Sequence, residues 1–197
     1  MIANESRHDG GVISPLRPRI AVSACLLGEA VRYDGTNKAH HVVTEVLAPH
    51  VEWVPVCPEV EAGFGVPRPA IEVVSEDPVR VARVADGEDV TEKLRGAASN
   101  LASRLNELGA DGQIVKARSP SCGLSDAPRA LSGGTGPGLY VGVLLGALPD
   151  LPIVDEAGLD DPARLRRFLE AVVSRARQRM SCDVSALDWL AQVLGAE

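Results

Sequence analysis

Three short apolar runs, each ending at a cysteine or in a loop that carries one, constrain this chain more than any other feature of its sequence. Ile20-Ala21-Val22-Ser23-Ala24-Cys25 is nearly continuous in apolar character, the pattern of a strand covered on both faces, as parallel strands in α/β proteins are. Val51 to Cys57 repeats it, and Pro58 removes a ladder donor where that strand must end. Gln113-Ile114-Val115 leads into Lys116-Ala117-Arg118-Ser119-Pro120-Ser121-Cys122-Gly123. That composition cannot continue a strand or helix and suits a loop presenting side chains and backbone N–H groups.

The remaining chain alternates with these runs. Val42, Val43, Val46 and Leu47 have helical spacing over His40 to Ala48, and Pro49 stops the element. Residues Glu59 to Pro69 are too rich in Gly and Pro for regular structure, and Ile71–Val74 with Val79–Val84 predicts a small hairpin. Asp89 and Glu92 resemble a capping box opening a helix on Leu94, Ala98, Leu101, Leu105 and Leu108, closed by Gly109. Ser132 to Gly138 reads as a flexible connection, Leu139 to Leu148 as a buried helix, and Leu151 to Val154 as a last strand. Asp161-Pro162 starts a helix with Leu165, Phe168, Leu169, Val172 and Val173 on its apolar face, and a short helix follows over Val184 to Leu194. Alternating strands and helices predict a doubly wound α/β domain with its sites at the carboxyl ends of its strands, where all three cysteines fall. We expect a flexible tail over 1–18, the α/β domain over 19–176, and a C-terminal helical extension over 177–197.

Composition narrows the function classes. The net charge of −7 over 197 residues supplies no general field for a polyanion, and 3% aromatic residues leave few platforms for stacking bases. No partner nucleic acid polymer is therefore expected. No apolar run is long enough for a membrane helix and Met1 to Asp9 hold no signal-peptide core, so a cytoplasmic location without membrane association is expected. In a reducing compartment four cysteines are poor disulfide candidates.

Three cysteines converging on one place suggest a metal centre. Structural zinc takes ligands in close pairs, and this chain has no Cys-x-x-Cys. Dispersed cysteines suit a site assembled by the whole fold, and three of them leave one iron of a four-iron cluster without a protein ligand. The alternative is that each cysteine packs as a small hydrophobe. His40, His41 and His50 lack ligand spacing, and Cys182 lies in a polar stretch with no metallic role expected.

Ser23-Ala24-Cys25-Leu26-Leu27-Gly28 with Arg32-Tyr33-Asp34-Gly35, then Val56-Cys57-Pro58-Glu59, Pro67-Arg68-Pro69, Asp86-Gly87 to Thr91, and Lys116 to Gly123 resemble the thiouracil desulfurase family, in order from about Arg19 to Val173. The resemblance implies a Rossmann-like three-layer domain with a mostly parallel sheet. It implies a 4Fe-4S cluster held by Cys25, Cys57 and Cys122, with the open iron accepting sulfur from a thiolated pyrimidine or related thioamide. Glu59 and Ser119 match the carboxylate and serine that the family places near that iron, as catalytic residues. Asp34, Arg118 and Ser121 are candidate substrate contacts, although Asp34 is first a turn former and Arg118 a candidate solvent-facing charge. The segment Gly133 to Leu145 departs from the family pattern, which bears on the identity of the thiolated nucleobase. A non-catalytic iron–sulfur sensor or carrier, and a zinc-stabilised binding module, are the competing functions.

Overall fold

The computed structural model describes residues 17–180 and Val193. In chain order, β1 (Arg19–Ser23) is followed by a 3-10 turn over Ala24–Leu27, a π-helical turn over Val42–Leu47, β2 (Glu52–Val56) and the short α1 (Pro58–Glu61). Then come the hairpin β3 (Ile71–Glu76) and β4 (Val79–Arg83), the long α2 (Thr91–Leu108) and β5 (Gly112–Val115). A two-residue pair, β6 (Ala127–Pro128) and β7 (Thr135–Gly136), precedes α3 (Leu139–Ala147), β8 (Ile153–Asp155), α4 (Glu156–Leu159) and α5 (Pro162–Met180).

The central sheet has the order β2-β1-β5-β8 with every pairing parallel. From β1 the chain crosses to β2 on one side and later returns to β5 on the other. The order therefore reverses between β1 and β5, the switch point where open α/β sheets form their binding crevice. The β1–β5 register runs to Val22 and Ile114, beyond which the Lys116 N–H donates to Ser23 Oγ at 3.0 Å. A side chain thus takes over from the ladder as the two strands part.

Strand alternation builds a core on each face. Ala21, Val56 and Val115 point into one with Leu94, Leu101 and Leu105 of α2 and Tyr140, Val141 and Leu144 of α3. Ile20, Val22, Ile114 and Val154 point into the other with Val43 and Leu47 of the π turn and Phe168, Leu169, Val172 and Val173 of α5. Each such fully buried side chain contributes about 1.5–3 kcal/mol of hydrophobic stabilisation. This is an α/β fold with a parallel central sheet, as expected from sequence.

Four details differ from the sequence expectations, the first being that Glu59 to Glu61, expected to lack regular structure, lie in the short helix α1 opened by Pro58. The segment after His40 is wound as a π-helix rather than an α-helix, and its wider turn brings Val42 and Leu47, five apart, onto the buried side. Helix α2 starts at Thr91 with Val90 as N-cap. Asp89 instead accepts the Thr91 N–H at 2.9 Å and pairs with Arg80, while the Thr91 hydroxyl bonds Val81 of β4. The glycine-rich stretch expected to be a loose connection contains β7 and is pinned by Arg129, whose N–H donates to Gly134 O and whose Nη2 donates to Pro137 O at 2.8 Å. A Cβ at position 136 would strike the Arg129 guanidinium, so a larger residue there would have to displace that side chain.

The expected N-terminal tail up to residue 16, Cys182 and, but for Val193, the helix over 184–194 lie outside the described residues. The expected division at residue 176 falls inside α5. No helix among the described residues is long and apolar enough to cross a membrane.

Candidate metal centre and active site

A cavity of about 490 Å³ opens at the carboxyl edge of β1, β2 and β5, and Cys25, Cys57 and Cys122 all line it. Each thiol arrives on a different local device. Cys25 sits on the 3-10 turn directly after β1, which Gly28 ends with a left-handed φ of 97°. Cys57 is the extended residue between β2 and α1, with Pro58 as the first helical residue. Cys122 lies on a turn organised by Ser119: its Oγ accepts the N–H groups of Ser121 at 3.2 Å and Cys122 at 3.1 Å, and its carbonyl accepts that of Gly123 at 2.9 Å.

From behind, α3 clasps the Cys122 turn. The N–H groups of Gly138, Leu139 and Tyr140 donate to the carbonyls of Gly123, Pro120 and Ser121 at 2.8, 3.0 and 3.0 Å. Gly138 is in van der Waals contact with the Ser121–Cys122 peptide, leaving no room for a Cβ.

Burial and the neighbouring thiol of Cys57 push the Cys25 thiol up to about 11, although Lys116 and Arg32 act the other way. Burial raises Cys57 as well. Cys122 is raised further, by burial first and then by Cys57, Glu59 and Cys25. Cys25 and Cys122 are buried and Cys57 partly so, and thiols gathered this way become stable together as thiolates only around positive charge. Soft donors on three separate strand ends suit a polynuclear iron–sulfur group, in which each thiolate binds a different iron. The donor set fits a 4Fe-4S cluster.

Glu59, two residues beyond Cys57 in the first turn of α1, reaches the same cavity. Its Oε2 accepts from Arg68 Nε at 2.8 Å and its Oε1 accepts from Ser121 Oγ at 2.8 Å. Ser121 is fully buried behind the cavity wall with its hydroxyl proton committed to Glu59. Ser119 is on the wall. Arg118 is on the wall too, exposed, and makes no ion pair among the described residues. Its φ of 56° is left-handed, a conformation that costs a non-glycine residue about 1 kcal/mol or more. Its N–H donates to Asp126 at 2.9 Å.

Asp34 lies outside the wall on an exposed turn. The Thr36 hydroxyl and N–H donate to it at 2.6 and 3.0 Å, holding its carboxyl down at about 2. It also stands 3.5 Å from Arg32, whose guanidinium lies 5.6 Å from the Tyr33 ring centroid, and both Arg32 and Tyr33 line the cavity.

Three features lay beyond sequence reasoning. Arg68 is the buried partner of Glu59. Lys116 pairs with Glu156 of α4, which also accepts the Ala117 N–H, so α4 braces the cysteine loop from across the sheet. The cavity wall also carries Arg32, Lys38, Arg68, Lys116 and Arg118 against Glu59 and Glu72, a basic pocket in an acidic chain. Only the Pro67-Arg68-Pro69 motif gave a sequence signal, and it did not reveal a partner.

The 2-thiouracil desulfurase family profile matches residues 20–156. Over 111 residues, 53% of this chain, the sequence is 40% identical to an uncharacterized protein, YbbK, of Bacillus subtilis (strain 168), and covers 72% of that protein. Among solved structures, the 4Fe-4S-dependent thiouracil desulfidase TudS superposes with a TM-score of 0.63 at 30% identity, covering 74% of this chain and 95% of TudS.

Proposed function

The chain belongs to the 2-thiouracil desulfurase family, and from that premise we propose that it hydrolyses the thiocarbonyl of a thiolated pyrimidine in the cavity at the carboxyl edge of its sheet. One observation carries this: Cys25, Cys57 and Cys122, from three adjoining strand ends, line a single cavity with Glu59 and Ser119. A volume of about 490 Å³ is within the range of small-molecule sites.

Cys25, Cys57 and Cys122 would hold a 4Fe-4S cluster, which when bound would supply a thiophilic Lewis acid for the departing sulfur. The reaction is hydrolytic: water oxygen replaces sulfur at the ring carbon, sulfur leaves as hydrosulfide, and nothing is oxidised or reduced. Glu59 takes the proton from the attacking water and returns it to the leaving side, general acid–base work of the kind that contributes about 10²–10⁴-fold. Ser119 accepts two backbone N–H groups, which leaves its own O–H to donate towards substrate or water. Arg118, at the wall without a carboxylate partner among the described residues, offers a cation to the substrate's carbonyl edge. Ser121 acts one layer back, through Glu59, and Asp34 acts through Arg32.

Anaerobic purification followed by iron and sulfide analysis, a visible spectrum and a sulfide-release assay with 2-thiouracil tests this. We expect a brown protein that releases sulfide, and a Glu59→Gln variant that keeps its cluster while losing about 10²–10⁴-fold in turnover. A colourless protein with stoichiometric zinc overturns the cluster assignment. A cluster-loaded protein that releases no sulfide from any thiobase favours a carrier or sensor instead.

A further inference from the structure

The side chain of Arg68 is 3% exposed, and its Nε and Nη1 both donate to groups around the cavity. Nε donates to Glu59 Oε2 at 2.8 Å, and Nη1 donates to the carbonyls of Val31 at 2.9 Å and Gly65 at 3.0 Å. The Arg68 backbone N–H donates to Tyr33 O at 2.8 Å. Arg68 therefore joins two segments that follow different strands: Val31 to Tyr33 after β1, and Glu59 to Gly65 after β2. Through Glu59 it also reaches Ser121 of the loop after β5.

Burying a guanidinium costs several kcal/mol and is tolerated where the ion is paired and its donors are satisfied. That requirement works in both directions. Because Arg68 is locked between two backbone carbonyls, it fixes Glu59 Oε2, and because Ser121 fixes Oε1, the carboxylate plane cannot rotate. The other basic residue deep in the wall, Lys116, is committed to Glu156. Arg68 is the one cation paired with Glu59 among the described residues.

We propose that Arg68 is a positioning residue for the reaction, acting solely through Glu59 by fixing the orientation of its carboxylate towards the thiol-lined cavity. The inference rests on the desulfurase assignment above. A merely structural staple would instead support the loops regardless of what Glu59 does. A lysine at 68 would keep a cation for Glu59 but could not span both carbonyls, so it should rescue only in part.

A double-mutant cycle on the cluster-loaded protein separates these cases: Arg68→Gln, Arg68→Lys, Glu59→Gln and the Arg68→Gln/Glu59→Gln pair, each with iron and sulfide content, kcat and KM for 2-thiouracil. For Arg68→Gln the expected result is wild-type iron content, KM within about twofold and kcat lower by about 10–100-fold, the scale of a 1 Å misplacement at a reacting group. Arg68→Lys should recover part of that loss. The double variant should be no slower than Glu59→Gln alone, since residues acting as one unit are not additive. A further tenfold loss in the double variant, a change confined to KM, or loss of iron from Arg68→Gln but not Glu59→Gln would overturn the proposal. Should the wild type release no sulfide, the desulfurase assignment fails and the inference falls with it; an active wild type with an additive cycle sinks the inference alone.

Discussion

Replacing Gly138 by alanine isolates how the third cysteine is held. The backbone there, φ −64° and ψ 161°, is open to any residue, so alanine carries no conformational penalty. Its Cβ, however, would land on the Ser121 carbonyl, 2.5 Å from the carbonyl carbon and 2.9 Å from Cys122 N. Restoring ordinary contact requires the Cys122 turn and the start of α3 to separate by about 1 Å. Overpacking of this kind costs about 1–3 kcal/mol, and it stretches three backbone hydrogen bonds that clasp the turn. Gly142, one turn later in α3, is exposed with open space around its Cβ position, so Gly142→Ala should stabilise the helix by about 1 kcal/mol. Urea melts of the two variants should therefore move in opposite directions. After anaerobic reconstitution Gly138→Ala should bind less iron per chain than wild type while Gly142→Ala binds as much. A Gly138→Ala protein with wild-type stability and full iron content would refute close approach as what places Cys122.

Two further outcomes follow from buried and exposed hydrogen bonds respectively. The buried Tyr140 hydroxyl donates to Gln113 Oε1 at 3.0 Å, so Tyr140→Phe leaves a buried acceptor unpaired and should lower the unfolding free energy by about 1–3 kcal/mol in urea titration. The Asp34 carboxyl is held at about 2 against an ordinary 3.8, chiefly by the Thr36 hydroxyl. Its stabilisation is thus present above pH 4 and lost as the pH falls towards 2, and the melting temperatures of wild type and Asp34→Asn should converge across that window.

The central strand β1 was legible because burial on both faces makes it a continuous apolar run, whereas β2, expected to be covered in the same way, lies at the sheet edge and is only partly buried; the three cysteines stood out because each interrupts or follows an apolar run. The hairpin Ile71–Arg83 was legible from its residue pattern, and Gly109 from its position after the last leucine of α2. Other features depend on partners distant in the chain. The capping box assigned to Asp89 and Glu92 is displaced: Val90 takes the N-cap position, and Asp89, one residue earlier, accepts the Thr91 N–H on one oxygen while Arg80 holds the other. The glycines at 136 and 138 looked like flexibility, since sequence alone does not separate a glycine that must bend from one that must be approached closely. Arg68 sat in a loop without periodicity, and nothing local marks Glu59 as its partner. The positive wall of the cavity is likewise invisible in a chain of net negative charge, because its members come from three separate crossings of the sheet.

The side-chain bridge from Ser23 to the Lys116 N–H, where β1 and β5 part, also bears on how the site is gathered. Cys25 and Cys122 lie on opposite sides of that fork and are far apart along the chain, so in the unfolded state gathering them means closing a long loop against its entropy. The two cores packed on either face of the sheet supply hydrophobic burial that offsets that entropy and holds the two strand ends side by side.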